Sequence, residues 1–137
     1  MVDKDVMLSK IGSVRKYLKR IKNVSNITLQ AFLNDVNTQD IILFNIQLAV
    51  QNCIDIAAHI VSEKDMGIPG SANEIFYFLE ENKYINNLLT EKMVKAVGFR
   101  NLIVHEYGKL DLKRAYDISQ NDIKDLDTFL KAVIKKI

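Results

Sequence analysis

The segment from Thr38 to Lys64 constrains the fold of this chain more than any other. It contains no glycine or proline, and its apolar residues recur every three to four positions, which predicts one long helix with Thr38 as its N-cap. Apolar side chains cover more than half of the circumference of this helix, whereas a surface helix has a single apolar stripe. The sequence therefore predicts that the helix packs against neighbours on two sides.

The rest of the chain also favours helices. One proline and five glycines occur in 137 residues, and no alternation of apolar and polar residues is sustained. The expected fold is all-α, one domain over residues 1–137, built as an up-and-down bundle of four to five helices, that is, four main helices and a shorter fifth, with small helical connectors. Capping residues and apolar spacing place the other helices at about Asp3–Lys22, Thr28–Leu33, Ser71–Asn82, Thr90–Gly108, Asp111–Ile118 and from Asn121 onward.

Composition argues against several classes of protein. The N-terminus has no hydrophobic run, so we expect no signal peptide, and the apolar stretch from Ile41 to Val61 is interrupted by too many polar residues for a membrane span. The single cysteine, Cys53, lies in an apolar stripe, so we interpret it as a core residue and not a nucleophile. Without a pair it forms no intrachain disulfide, which suits the cytoplasm.

Charge is distributed unevenly along the chain. The net charge is only +2, but residues 1–22 and 91–114 are basic and residues 23–90 are acidic. The second basic segment is compatible with a bound polyanion, although the small net charge argues against a general nucleic-acid-binding protein. No spacing of histidines or acidic residues matches a metal site, and no glycine loop for a phosphate-bearing cofactor is present, so we expect neither metal nor cofactor.

The residues best suited to chemistry lie between Gly98 and Asp111. Arg100 offers a planar fork that matches phosphate, Asn101 adds neutral donors and acceptors, and His105 is the acid–base group of the stretch. The last turn of a helix, where His105 is expected, favours a protonated ring. This set suits phosphoryl transfer without a metal, because RNA supplies its 2′-hydroxyl as nucleophile and the enzyme needs only a base, an acid and a cation.

Helix geometry limits how these residues act together. At about 100° per residue, Arg100 and His105 point about 140° apart around the axis, whereas Arg100 and Tyr107 lie within about 20° of each other. Asn101 and His105, four residues apart, share a face. To bring Arg100 and His105 to one phosphate, either the last helical turn unwinds or two copies of the helix meet and share a site.

The long helix also carries a polar line. Asp55 and His59 are four residues apart on it and are predicted to pair. A single histidine in this setting is more often a hydrogen-bonded structural residue than a catalyst, so we do not include His59 in the site.

The pattern Arg100-Asn101-x-x-x-His105-x-Tyr107, followed by Gly108 and Asp111, closely resembles the Arg-x-x-x-x-His-x-Tyr motif of the HepT-like toxins, a prokaryotic branch of the HEPN superfamily. The order of predicted helices agrees over nearly the whole chain. The resemblance implies the toxin of a type VII-like toxin–antitoxin system, a metal-independent ribonuclease that forms a homodimer with its motif helices face to face. It implies that Arg100 and His105 are catalytic, with Asn101 in support.

The resemblance also implies a partner protein. This is a minimal nucleotidyltransferase antitoxin that neutralises the toxin, alone or in a larger complex, by transferring AMP from ATP to the motif tyrosine, here Tyr107. Polar residues of the long helix help to build the cleft in this family, but the resemblance does not single out Asp40, Asn45 or Asp55.

Two alternatives come from other classes of protein. The first alternative is a non-catalytic helical partner that binds nucleotide or substrate for a nucleotidyltransferase. The second is a purely structural helical dimer. The presence of both Arg100 and His105 favours the enzyme. The structural dimer leaves the clustering of Asn101 and Tyr107 with these two residues unexplained.

Overall fold

The structure, a computed structural model, describes residues 2–137. Over these residues it is all-helical, which confirms the predicted fold class, and has seven α-helices joined by short connections. A 3-10 turn at Tyr107–Lys109 follows the fifth helix, and a π-helical turn at Ile118–Asp122 precedes the last. The helices are α1 (Lys4–Val24), α2 (Leu29–Leu33), α3 (Val36–Glu63), α4 (Ala72–Glu81), α5 (Asn87–His105), α6 (Leu112–Asp117) and α7 (Lys124–Lys136).

Helix α3 lies at the centre of the bundle, as predicted from the apolar side chains that cover more than half of its circumference. Its most extensive contact is with α1, and it also packs against α4, α5 and α7. By length and composition alone α3 is long and apolar enough to cross a membrane, but its buried side chains belong to the core of the bundle. Cys53 is fully buried there, and burial raises the pKa of its thiol, which confirms it as a core residue.

Two predicted N-caps are wrong for the same reason. Asp35 caps α3, and its carboxylate accepts hydrogen bonds from the backbone nitrogen of Thr38 at 3.1 Å and from its hydroxyl at 2.8 Å. Asn86 caps α5, whereas Thr90 is buried one turn inside the helix with its hydroxyl bonded to the Asn86 carbonyl. In both helices an Asp or Asn upstream displaces the threonine, because these residues are the better caps.

Other helix starts agree with the sequence. Thr28, Ser71 and Asp111 cap α2, α4 and α6 through their side chains, as predicted. The last helix starts at Lys124 and not at Asn121, because the π-helical turn takes up the residues before it.

The C-terminus of α5 differs from the prediction. The helix ends at His105, and the backbone nitrogens of Lys109 and Leu110 close the following 3-10 turn on the carbonyls of Glu106 and Tyr107. The hydrogen bonds of this turn close the helix end without a left-handed residue. Gly108, where the predicted helix ends, therefore does not close it in the left-handed conformation that glycine commonly adopts there; among the glycines of residues 2–137 only Gly67 has a positive φ. Tyr107 therefore lies off the helix.

Candidate active site

Helix α5 carries Arg100, Asn101 and His105 on a regular backbone. Buried residues of the same helix, among them Val97 and Ile103, fix it in the core. Because the helix remains intact through His105, the alternative in which its last turn unwinds is wrong. Arg100 and His105 therefore point to different sides of one chain.

The guanidinium of Arg100 is held against α3. Its Nη2 donates a hydrogen bond to Oε1 of Gln51, and its Nη1 donates to Oδ1 of Asn101 at 2.7 Å. The third nitrogen, Nε, is buried and has no hydrogen-bond partner among residues 2–137. Asn101 thus contacts Arg100 directly, although neighbouring residues on a helix do not share a face.

A chain of polar contacts continues from Arg100 across three helices. Nε2 of Gln51 donates to Oδ1 of Asp55 at 3.0 Å, and Oδ2 of Asp55 pairs with Nζ of Lys10 on α1 at 3.4 Å. A carboxylate only accepts hydrogen bonds. The NH₂ group of Gln51 must therefore point at Asp55, which leaves the oxygen of Gln51 facing Arg100. Gln51 is not among the residues predicted from the sequence, although its position four residues before Asp55 on α3 is a usable signal for this contact.

The predicted pair of Asp55 and His59 does not form. Asp55 is occupied by Lys10 and Gln51, and Nε2 of His59 instead accepts a hydrogen bond from the backbone nitrogen of Asp3 at 3.3 Å. The ammonium group of Lys10, on the neighbouring helix, occupies this carboxylate, and charge-assisted contacts of this kind are the strong ones. His59 holds the start of α1, which agrees with its interpretation as a structural residue.

His105 occupies the last turn of α5, as predicted. Its side chain is exposed and makes no hydrogen bond to any of residues 2–137. The ring is therefore accessible to a substrate or to a second chain.

Tyr107 reaches back to the first turns of α3. Its hydroxyl donates a hydrogen bond to Oδ1 of Asp40, while 48% of the residue remains exposed. Burial, the hydrogen bond to Asp40 and the charge of Asp40 raise the pKa of Tyr107 to about 12. The phenol is therefore neutral at physiological pH.

An open cavity of about 430 Å³ lies beside Tyr107. It is lined by Asp40, Ile41, Phe44, Asn45 and Gln47 of α3 together with Tyr107. Phe44 is 55% exposed, and Ile41 is exposed as well, although both are residue types that usually lie inside proteins. Within residues 2–137 no group of three or more His, Cys, Asp or Glu side chains is arranged to hold a metal ion.

Comparison with known proteins places the chain among nucleases. The family described as Ribonuclease HepT-like matches residues 14–133. The mRNA nuclease HepT of Shewanella oneidensis is 33% identical over 129 residues, covering 94% of this chain and 96% of that protein. The tRNA nuclease HepT of Aphanizomenon flos-aquae is 28% identical over 111 residues, covering 81% of this chain and 76% of that protein.

Solved structures give the same result. A toxin–antitoxin complex with AMP-PNP contains a chain that superposes with a TM-score of 0.90 at 31% identity, covering 96% of this chain and 98% of that one. The tri-AMPylated HEPN toxin of Shewanella oneidensis, in complex with the MNT antitoxin, superposes with a TM-score of 0.89 at 32% identity and the same coverage. By sequence and by fold, the chain belongs to the HepT-like ribonuclease family of HEPN proteins.

Proposed function

We propose that this protein is the toxin of a toxin–antitoxin pair, a cytoplasmic endoribonuclease with a single HEPN-like domain that cleaves RNA without a metal. The observation that supports this most is the pairing, on one helix of a HepT-like fold, of an anchored Arg100 with an accessible His105. Relatives of this chain are named as mRNA and tRNA nucleases.

Each motif residue has a role in this reaction. Arg100 binds the scissile phosphate and stabilises the extra negative charge of the phosphorane. His105 takes the proton of the attacking 2′-hydroxyl and returns it to the leaving 5′ oxygen. Asn101 supports the reaction by holding one Nη of Arg100, which fixes the plane of the guanidinium.

The active site is composite in this proposal. Arg100 and His105 point about 140° apart on a regular helix, and Arg100 is bound to α3 of its own chain. A homodimer in which α5 and the polar side of α3 face their copies brings Arg100 of one chain to His105 of the other. Ile41, Phe44 and Val104 are exposed large apolar residues on these two helices, which suits a protein interface.

A nucleotidyltransferase antitoxin neutralises the enzyme by transferring AMP from ATP to Tyr107. This is supported by the relative from Shewanella oneidensis, which is described as tri-AMPylated and bound to the MNT antitoxin. The hydroxyl of Tyr107 lies at the surface beside an open cavity, where an incoming enzyme reaches it. The added AMP is a bulky anion at the end of the motif helix, where it competes with RNA phosphate.

RNA cleavage in the presence of a chelator tests the enzymatic proposal. The parent protein is expected to cleave, and Arg100→Ala and His105→Ala each to lose at least about a hundredfold, the usual scale for electrostatic and acid–base groups. Replacement of Lys135, an exposed lysine of α7 outside both basic segments, by Ala serves as the matched control and is expected to retain cleavage within a few-fold. If the parent binds RNA but does not cleave it, the alternative of a non-catalytic binding partner is correct.

A further inference from the structure

We propose that Asp40 is the base that accepts the phenolic proton of Tyr107 when AMP is transferred to this tyrosine. The inference rests on the proposed transfer and adds to it a catalytic group supplied by the toxin itself. Asp40 is not part of the Arg-x-x-x-x-His-x-Tyr motif, since it lies 67 positions before Tyr107.

The geometry places the proton directly between the two residues. The hydroxyl of Tyr107 donates to Oδ1 of Asp40, so the proton already points at the carboxylate. Among the residues that line the cavity only these two are ionisable, since the others are Ile41, Phe44, Asn45 and Gln47. The hydrogen bond between the two residues is exposed, and about half of Tyr107 is accessible to solvent.

The chemistry of the phenol requires such a base. With a pKa of about 12, Tyr107 is almost entirely protonated near neutral pH, and a neutral phenol is a weak nucleophile. Burial raises this pKa most, and Asp40 raises it further, because a second negative charge beside the carboxylate is unfavourable. During attack the phenolic charge moves onto the phosphate, and the same carboxylate then takes the proton.

The step balances without a further reactant. A bond forms between the phenolic oxygen of Tyr107 and the α-phosphorus of ATP, and the bond from that phosphorus to the bridging oxygen breaks. Pyrophosphate leaves with the electron pair, and the proton passes to Asp40. The modified tyrosine no longer donates to Asp40 and carries an anion beside it, so like charges drive the AMP group away from α3.

Single-turnover transfer with saturating cognate nucleotidyltransferase and ATP, followed by intact mass, tests the proposal. Asp40→Asn keeps the size of the side chain and a hydrogen-bond acceptor but takes no proton, so we expect a first transfer at least about a hundredfold slower. Asp40→Glu retains a carboxylate and is expected to recover part of the rate. Glu106→Gln is the matched control, because it removes an exposed acid next to Tyr107 that makes no contact with its hydroxyl.

The pH dependence separates a base from a residue that only positions Tyr107. Without Asp40 the reaction depends on the small phenolate fraction, which grows about tenfold per pH unit below the pKa. The ratio of parent to Asp40→Asn rates is therefore expected to fall by about this factor for each unit between pH 7 and 9. The pH dependence of the transferase itself cancels in that ratio.

Each outcome decides between accounts. If the parent takes up no AMP, or Tyr107→Phe takes it up equally well, the proposed transfer to Tyr107 is wrong. If transfer requires Tyr107 but Asp40→Asn is as fast as the parent, the nucleotidyltransferase supplies the base and the role of Asp40 is refuted. A slow Asp40→Asn with a constant ratio across pH also refutes it, since the residue then acts only by position.

Discussion

The position of the Arg100 guanidinium depends on the orientation of the side-chain amide of Gln51. The oxygen of Gln51 faces the guanidinium only because Asp55 accepts from its NH₂ group. With Asp55→Asn, Lys10 is expected to attract the oxygen of the new amide, so that the NH₂ group of that amide turns to Gln51 and reverses it. The guanidinium then meets a donor and moves, and kcat/KM for RNA cleavage is expected to fall about tenfold.

Lys10 provides the control for this prediction. Lys10→Met alone is expected to change cleavage little, because its pair with Asp55 is partly exposed. Added to Asp55→Asn, it frees the amide oxygen for Gln51 and is expected to restore much of the lost activity. An Asp55→Asn enzyme that stays equally impaired when Lys10→Met is added contradicts the orientation account.

The titration of Tyr107 reports its contact with Asp40. Folding raises the pKa of Tyr107 from 10.0 to about 12. The protonated phenol therefore contributes folding stability that is fully present below about pH 10 and is lost as the pH rises through about 12. Asp40→Asn is expected to lower this pKa but not to the reference value, because burial remains. Titration of labelled tyrosine rings by NMR measures it, with Tyr107→Phe to assign the signal; an unchanged pKa in Asp40→Asn means that the contact is absent in solution.

Residue types and spacing identify the motif residues but not their partners. Arg100, His105 and Tyr107 lie within one short stretch, so the sequence alone is enough to select them as candidates. Gln51 and Asp40 lie 49 and 67 positions away from the residues that they contact. Those contacts depend on how α3 packs against α5 and the turn after it, which spacing along the chain does not encode.

At the scale of helices, apolar periodicity predicts where each helix lies in the chain better than it predicts the residues at which the helix begins and ends. The two-sided packing of α3 follows from its apolar breadth. Its true cap, Asp35, lies three residues before the threonine that the apolar pattern suggests, because an N-cap depends on side-chain hydrogen bonding and not on apolar spacing. The end of α5 likewise depends on a 3-10 turn that has no apolar signature.

The cap of the motif helix gives a stability prediction. Asn86 accepts a hydrogen bond from the backbone nitrogen of Leu89 at 2.8 Å. Asn86→Ala is expected to lower the free energy of unfolding by about 1 kcal/mol. The neighbouring Asn87→Ala, which loses only a long side-chain hydrogen bond of 3.4 Å, is expected to cost less than about 0.5 kcal/mol. Urea unfolding of both variants checks this, and equal losses mean that Asn86 is not the cap.

At the scale of the whole molecule, we propose that the exposed apolar residues of α3 and α5 form the interface of the homodimer. Phe44→Glu places a charge on this face, so we expect a monomer in sedimentation experiments that keeps its helical circular dichroism but loses RNA cleavage. Leu88→Glu is the control, because it alters another exposed apolar residue at the opposite end of α5. A Phe44→Glu variant that is monomeric and fully active refutes the shared site.

Mixing two inactive variants tests the composite site most directly. Arg100→Ala and His105→Ala proteins are each purified, mixed in equal amounts, allowed to exchange subunits, and assayed for RNA cleavage in a chelator. Half of the dimers are then mixed, and each carries one site with Arg100 from one chain and His105 from the other. The composite site predicts recovery of about a quarter of the parental activity, since one in four sites is complete. No recovery, with subunit exchange demonstrated by mass, would show that both residues must come from the same chain.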